Sequence, residues 1–285
     1  MTAVATERAE PARASRLTPW LLYALLIAGA LLSLAPMMWM VSASLMAPGE
    51  ASSYPPSLFP RRVTFEHYQA LFTRLSLGRY LLNSAIVAFV VTSVSLLVNS
   101  MAGYAFAKLR FRGRDRLFRL LSAGLVLPVQ VAMLPLFLLM KQLGLINTYW
   151  GVIIPGLASI FGIFLVRQYA LAIPDDLLDA ARIDGASELR IYWSIVLPTI
   201  VPILATLSIW TFLATWNDFM WPLIVLSDDA RYTLPVALAN LVGEHAQDTE
   251  LMMAGSVLTV LPVMLVFLLL QRHYIQGVMA GSVKG

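Results

Sequence analysis

The chain has 285 residues, of which 59% are hydrophobic and only 13% are charged. This composition excludes an ordinary soluble domain, in which about half of the residues are apolar and about a quarter are charged. Because cysteine is absent, disulfides, thiolate nucleophiles and thiolate metal sites are also excluded. A net charge of +4 would suggest nucleic-acid binding in a soluble protein, but the positions of the basic residues point to membrane topology instead.

Six apolar stretches have close to the ~20 residues that a helix needs to cross a bilayer. Residues 1–18 precede them and predict a disordered cytoplasmic tail, because they lack apolar periodicity. Residues 19–285 predict a single transmembrane domain. Its predicted spans cover residues 20–44, 80–107, 117–140, 149–169, 197–226 and 251–270. The fifth span is longer than needed and contains Pro202 and Pro222, which predicts a kink or a tilt.

The basic residues predict the orientation of these spans, because Lys and Arg are favoured in cytoplasmic loops. A basic run at 108–119 lies in the short loop between the second and third spans, where a topology anchor is a better explanation than a nucleic-acid patch. With the N-terminus inside, only six of the 20 Lys and Arg residues lie outside: Arg61, Arg62, Arg74, Arg79, Lys141 and Arg231. We therefore expect both termini in the cytoplasm.

A polar segment at about 170–196 separates the fourth and fifth spans. It contains the run from Asp179 to Gly185, which is followed, after nine further residues, by the run from Ile195 to Pro198 at the start of the fifth span. Unpaired charges are costly in hydrocarbon, so this segment is expected at the cytoplasmic surface. Ala180 and Ala181 leave little bulk. We predict two short helices at an angle, the first presented to a partner and the second, at about 187–196, lying against the bilayer.

The stretch from Trp216 to Pro222 contains an acidic residue, Asp218, within the outer half of the fifth span. A carboxylate at membrane depth costs about 2–3 kcal/mol, so it usually faces a cavity or a partner. Aromatic rings beside hydrogen-bonding groups suit a sugar, which makes Trp216, Asn217, Asp218 and Trp221 candidates for a solute pathway. The alternative is that both tryptophans belong to an interfacial belt and that Asp218 reaches water among the headgroups.

The sequence lacks the usual motifs of catalysis. It has no Gly-rich loop with Gly-Lys-Ser/Thr, no His-Glu-x-x-His and no Gly-x-Ser-x-Gly, and its three histidines are far apart in the sequence. We therefore predict no catalytic, cofactor-binding or metal-binding site in this chain, and no enzyme activity of its own.

The polar segment resembles the EAA loop of ATP-binding-cassette importer permeases, which reads E-A-A, three residues, G, nine residues, I-x-L-P. Asp179 stands where that loop has glutamate. The run Trp216-Asn217-Asp218-Phe219-Met220-Trp221-Pro222-Leu223 resembles the W-N-[ED]-F-x-W-P-L stretch of sugar-importer permeases. Shorter similarities are carried by residues 58–60, 143–148, 232–235 and 277–285. The resemblance covers about residues 20 to 285 and is closest to the shorter, six-span partner of a maltose-type permease pair.

The resemblance implies an all-α polytopic membrane protein with six transmembrane helices and the type I importer permease fold, in the inner membrane of a prokaryote. Besides membrane lipid, it implies three kinds of partner: a second homologous permease, two copies of a cytoplasmic ATPase, and an extracytoplasmic solute-binding protein. ATP and magnesium would be held by the ATPase. In that family the EAA loop forms a coupling helix that docks on the ATPase. Carried over to this chain, the coupling residues are Asp179, Ala180, Ala181, Arg182, Asp184, Gly185, Ile195, Leu197 and Pro198.

The solute implied by the resemblance is a sugar or an oligosaccharide. A glycerol-phosphate compound is the alternative solute. A secondary transporter is a further alternative, for which only Asp218 is a candidate ion-coupling residue. In the outer loop 227–250, the apolar run at 232–236 is expected either to contact the binding protein or the pathway, or to form a cap that packs on the permease itself.

Overall fold

The computed structural model describes residues 17–55, 57–244 and 248–282. Residues 1–16 of the predicted tail lie outside these ranges, and Leu17 and Thr18 already belong to the first helix. The described residues form helices and no strand: α1 (Leu17–Ala43), α2 (Glu66–Thr73), α3 (Leu77–Lys108), α4 (Arg114–Ala123), α5 (Val129–Gln142), α6 (Tyr149–Ile153), α7 (Ile160–Ala170), α8 (Asp175–Ile183), α9 (Glu188–Ile191), α10 (Leu197–Trp216), α11 (Met220–Val225), α12 (Leu234–Glu244) and α13 (Thr249–Ser282).

Five helical segments in these ranges are long and apolar enough to cross a membrane. A sixth crossing results if the bent pair of α4 and α5 is one span. No more than a third of any of the five apolar windows is buried inside the protein, so most of this surface faces outward, as lipid contact requires. The segments are Pro19–Ala43, Leu77–Lys108, Tyr149–Ala170, Glu188–Trp216 and Thr249–Leu269.

The third predicted span, 117–140, is not a continuous helix. Its two arms, Arg114–Val126 and Val129–Gln142, meet at an angle of 109°. Pro128 explains the break, because proline lacks an amide donor and disfavours helical geometry in the residue before it. Leu127 accordingly takes an extended conformation, with φ −80° and ψ 123°.

The fifth span also differs from the predicted range of 197–226. It begins at Glu188, because α9 continues through a π-helical turn at Tyr192–Val196 directly into α10. The wide π-helical turn precedes Pro198, whose ring provides no amide donor. The expected second short helix on the bilayer surface was therefore wrong: it is the first part of the long span. At the other end, α10 stops at Trp216, before Asn217 and Asp218.

The α3 helix is the centre of the packing, in contact with α7, α10, α12 and α6. Gly103 lets α3 approach α7 closely, because a Cβ atom there would lie 2.6 Å from Cγ1 of Val166. Asn99, fully buried, joins the same two helices: its Oδ1 accepts from the backbone N–H of Ser159 at 3.0 Å, and its Nδ2 donates to Ser95 Oγ at 2.8 Å. Buried polar groups need such partners, so the contact is specific as well as tight.

The two ends of α3 carry different structures. At its N-terminal end, α12 packs on α3 and α13, and Asn83 Nδ2 donates to the carbonyl oxygens of Ala230 and Tyr232 at 3.1 and 2.9 Å. Leu234 and Val236 are fully buried there. The apolar run at 232–236 therefore packs on the permease itself, as the second alternative expected, and Thr233 of this run also lines the cavity described below. The helix α8 lies at the C-terminal end of α3, where Lys108 of α3 bonds to Asp175 of α8.

We expect Gly103→Ala to lower the free energy of unfolding by about 1–3 kcal/mol, since the new methyl group overpacks the contact between α3 and α7. The measurement is thermal or denaturant unfolding of the purified protein in detergent. Gly29→Ala is the matched control, because a Cβ atom at Gly29 has nothing within 4 Å. Equal stability of the two variants would contradict close packing at Gly103.

Candidate functional site

The first part of the polar segment folds into the helix α8, whose two ends have clear local causes. Pro174 precedes the helix, and Asp175 and Asp176 lie in its first turn, where carboxylates complement the positive end of the helix dipole. After the helix, Gly185 has φ +81°, a left-handed conformation that L residues with a side chain rarely adopt. The amide of Gly185 donates to the carbonyl oxygen of Arg182 at 3.0 Å, which turns the chain away sharply.

The predicted coupling residues separate into an outer and an inner group. Asp179, Ala180, Asp184 and Gly185 are exposed on α8 or just after it, whereas Ala181 and Arg182 are half-buried. Ile195 and Leu197 belong to the long span, where they pack against the core beneath α8. Pro198 is exposed beside them.

Ile183 is the surface residue that the sequence interpretation overlooked. Its side chain is 86% exposed at the end of α8, among polar neighbours. A large apolar side chain in this position is free to enter a pocket on another protein. In the sequence, Ile183 is marked only by its position immediately before Asp184 and Gly185. That position does not show which way the side chain faces.

One end of α8 is clamped to α3 by Lys108. Its Nζ donates to Asp175 Oδ1 and to the carbonyl oxygen of Ile173, both at 2.6 Å, and more distantly to that of Leu171 at 3.3 Å. The Lys108 side chain is only 6% exposed. The hydrogen bond from Lys108 lowers the pKa of Asp175 below its usual range. A lowered pKa means that the pair stabilises the fold above the ordinary pKa of aspartate and is lost only as the solution becomes strongly acidic.

The other end of α8 is clamped to the same helix through a relay of side chains. Arg182 donates from Nε to Glu188 Oε1 at 2.7 Å and from Nη1 to Asp179 Oδ1 at 2.6 Å. Tyr104 Oη, on α3, donates to Glu188 Oε2 at 2.6 Å. The carboxylates of Glu188 and Asp179 raise the pKa of the Arg182 guanidinium, which therefore stays charged.

The two clamps join both ends of α8 to the C-terminal part of α3. Tyr104 and Lys108 are four residues apart, so they lie on one face of α3. The sequence interpretation missed both roles: Lys108 was assigned to membrane topology, and Tyr104 lies inside an apolar span. No spacing rule links Tyr104 to Glu188, which is 84 residues away along the chain.

We expect Lys108→Met to loosen α8, because two backbone carbonyl oxygens and one carboxylate lose a charged donor. Hydrogen–deuterium exchange of the α8 amides should become about tenfold faster or more. Arg112→Met is the control, since Arg112 belongs to the same basic run and is exposed. Unchanged exchange in α8 would contradict the clamp.

A second feature is a cavity of about 430 Å³ near the N-terminal half of α3. Its walls come from α3, α5, the α6–α7 region, the α10–α11 break and the residue before α12. The polar groups on these walls belong to Ser84, Gln130, Thr215, Asp218 and Thr233, and the rest of the lining is mainly apolar. This volume lies within the range of about 300–1,000 Å³ that is usual for small-molecule sites.

Only half of the predicted pathway residues line this cavity. Asp218 and Trp221 do, and the backbone N–H of Trp221 donates to Asp218 Oδ1 at 3.3 Å. Trp216 instead lies in the core with α12 and α13, where its indole N–H donates to the carbonyl oxygen of Thr259 at 3.1 Å. Asn217 is exposed and donates to the carbonyl oxygen of Leu213 at 2.9 Å.

The break in the helix explains this separation of neighbouring residues. Asn217 and Asp218 bond to nearby backbone groups, which competes with a continuous helix. The chain direction changes, so Trp216 and Trp221 point into different parts of the core. Neither is a free interfacial ring: the indole N–H of Trp221 donates to the carbonyl oxygen of Gly151 at 3.1 Å. The sequence interpretation missed Gln130 and Thr233, which come from other segments.

Residues 99–279, more than half of the chain, match the family described as "Binding-protein-dependent transport system inner membrane component". The chain belongs to this family. It is therefore a multi-pass inner-membrane protein and a permease subunit of an importer, as the resemblance implied.

Two similar relatives carry transport names. The arabinooligosaccharides transport system permease protein AraQ of Halalkalibacterium halodurans is 41% identical over 79% of this chain and 81% of its own length. The lactose transport system permease protein LacG of Rhizobium radiobacter is 34% identical over 92% of this chain and 95% of its own length.

A solved bacterial ABC transporter involved in the import of the acidic polysaccharide alginate has a similar fold. One of its chains gives a TM-score of 0.82 at 24% identity, covering 94% of this chain and 100% of that chain. At this identity the likeness concerns the fold alone, and it confirms the expected architecture of an importer permease.

Proposed function

We propose that this permease forms half of the translocation pathway for a sugar or an oligosaccharide and is driven through α8 by a cytoplasmic ATPase. Its partners are a second homologous permease, two ATPase copies and an extracytoplasmic solute-binding protein. The chain itself makes and breaks no covalent bond, and ATP and magnesium belong to the ATPase. Both termini and α8 face the cytoplasm, in agreement with the basic run at 108–119.

The observation that carries this proposal is the double clamp between α8 and α3. A helix that receives force from a partner needs an exposed face for contact and a rigid link to the moving part. The exposed face consists of Asp179, Ala180 and Ile183. The rigid link consists of Lys108 at one end and the Arg182–Glu188–Tyr104 relay at the other.

The mechanism is alternating access. ATP binding draws the two ATPase copies together, which displaces α8 together with α3 and α10. The opposite end of α3 lines the cavity, so the same displacement changes the access to the solute. ATP shifts the population between the inward-open and outward-open states only by the difference in its affinity for them. Hydrolysis then restores the first state.

The lining of the cavity supports an uncharged sugar over a glycerol-phosphate compound. Among the described residues that line it, Asp218 is the charged one, and none is a Lys or an Arg. A carboxylate accepts hydrogen bonds from hydroxyl groups but repels a phosphate. The names of AraQ and LacG, which are arabinooligosaccharide and lactose permeases, agree with this choice.

We expect Ile183→Asp to abolish coupling, because an exposed apolar side chain that fills a partner's pocket is replaced by a charge. The assay is ATPase co-purification with the assembled importer, together with uptake of the solute in cells. Membrane insertion should be normal, since Ile183 lies at the surface. Val63→Asp is the matched control, as Val63 is 57% exposed in the loop before α2, at the other end of the molecule. Normal co-purification and uptake with Ile183→Asp would rule out this contact.

Asp179 is where the sequence departs from the family pattern, and we expect Asp179→Glu to transport normally but Asp179→Ala to lose most uptake. The pair with Arg182 is an exposed i,i+3 pair worth only about 0.2–0.5 kcal/mol, and Arg182 keeps its bond to Glu188. A large loss of uptake, with unchanged hydrogen exchange in α8, therefore assigns the carboxylate to the ATPase contact. If Asp179→Ala transports like the wild type, the side chain has no role.

A further inference from the structure

One polar group on the wall of the cavity has no hydrogen-bond partner. A gap left by imperfect packing would not explain such a group. Thr233 lines the cavity, is only 4% exposed, and its Oγ1 has no hydrogen-bond partner. Buried hydroxyl groups almost always find a partner. Two other buried hydroxyls among the described residues, those of Thr92 and Ser122, are also unpaired, but only Thr233 lies at this cavity.

Thr233 does not use its hydroxyl to cap the helix that follows it. Thr233 immediately precedes α12, a position in which a threonine normally caps the helix with its own side chain. Here Oγ1 of Thr233 makes no such bond, although Ser84 Oγ of α3 accepts from the backbone N–H of Leu234, the first residue of α12, at 2.7 Å. The start of α12 is thus bonded to the neighbouring helix α3, while the hydroxyl of Thr233 has no partner among the described residues.

We propose that this cavity is a solute site within the permease itself, at which Asp218 and Thr233 bind the hydroxyl groups of an uncharged sugar. The inference deepens the proposed importer function and rests on it. It adds that this subunit contacts the solute directly and selects it by charge, in addition to the selection made by the binding protein.

The remaining walls suit the same class of ligand. Gln130 supplies a side-chain amide that can both donate and accept, and Thr215 adds a second hydroxyl. The ring of Trp221 is held in place by its bond to the carbonyl oxygen of Gly151, so it forms a fixed apolar wall. A few placed polar groups on a mainly apolar surface are typical of sites that orient a small molecule.

The position of the site also connects it to the driving helix. Ser84, Val87 and Val91 of α3 line the cavity, while Tyr104 and Lys108 hold α8 at the other end of the same helix. Displacement of α3 therefore moves one wall of the site against α5 and α11. The solute is thus bound in one state and released in the other.

The first test measures transport by the complete importer in proteoliposomes, with lactose, arabinooligosaccharides and sn-glycerol 3-phosphate as probes. We expect Asp218→Asn to lower the sugar uptake per ATP hydrolysed about tenfold or more, because a charged acceptor is lost, and Thr233→Val to lower it a few-fold. ATPase stimulation by the loaded binding protein should persist in both. Thr233→Ser should recover the loss, since it restores the hydroxyl. Asp115→Asn, an exposed change at the α8 end, is the control.

The second test detects binding without transport and uses the absence of cysteine from the chain. Gln130→Cys places one thiol on the cavity wall, where Gln130 is exposed, and Gln142→Cys places one on the same helix outside the cavity. We expect the transported sugar to slow the reaction of a methanethiosulfonate reagent with the first thiol but not with the second. The same variant with Asp218→Asn should lose this protection.

The possible outcomes separate this inference from the importer function. Sugar uptake that is normal in both Asp218→Asn and Thr233→Val, or equal labelling of Gln130→Cys with and without sugar, overturns the solute site and leaves the importer function intact. Transport of sn-glycerol 3-phosphate in preference to the sugars overturns the charge selection. A wild-type complex that transports none of the probes and shows no ATP-dependent uptake overturns the proposed function itself.

Discussion

The close contact of α3 with α7 and α10 is the interaction on which the rest of this permease depends. In a bilayer, apolar side chains gain little by leaving lipid for protein, so helices associate through close packing and a few buried polar bonds. Gly103 and Asn99 provide both at the same interface. Because α3 is held in this way, the groups at its two ends keep defined positions relative to the core.

The cavity proposed as a solute site lies where the helices of this chain are interrupted. Backbone without regular helical bonds is tolerated at membrane depth only where protein or water satisfies it. The breaks at Pro128 and at Asn217–Asp218 both border the cavity, whose lining includes Gln130 and Asp218. At the other end of α3, Asp175 of α8 bonds to Lys108, and Arg182 bonds to Glu188, which accepts from Tyr104. The apolar side chain of Ile183 is exposed beside them.

Much of this architecture could be predicted from residue types alone, because the bilayer imposes simple rules. Apolar length located the spans, and the small residues before Gly185 located α8. Prediction failed where one residue changed the course of a helix. Pro128 bends the third span, and the π-helical turn before Pro198 joins α9 to α10, so a segment expected on the bilayer surface belongs to a span.

The sequence by itself determined the membrane class, the helical composition and the family motif around Asp179, because these depend on composition and on short spacings. Only the tertiary structure decided which side chains meet. It separated Trp216 from Trp221, although they are close in sequence, it placed Thr233 and Asp218 on the walls of one cavity, and it brought Lys108 to Asp175. Such contacts depend on how helices pack and where they break, and the periodicity of a single segment contains no information about its neighbours.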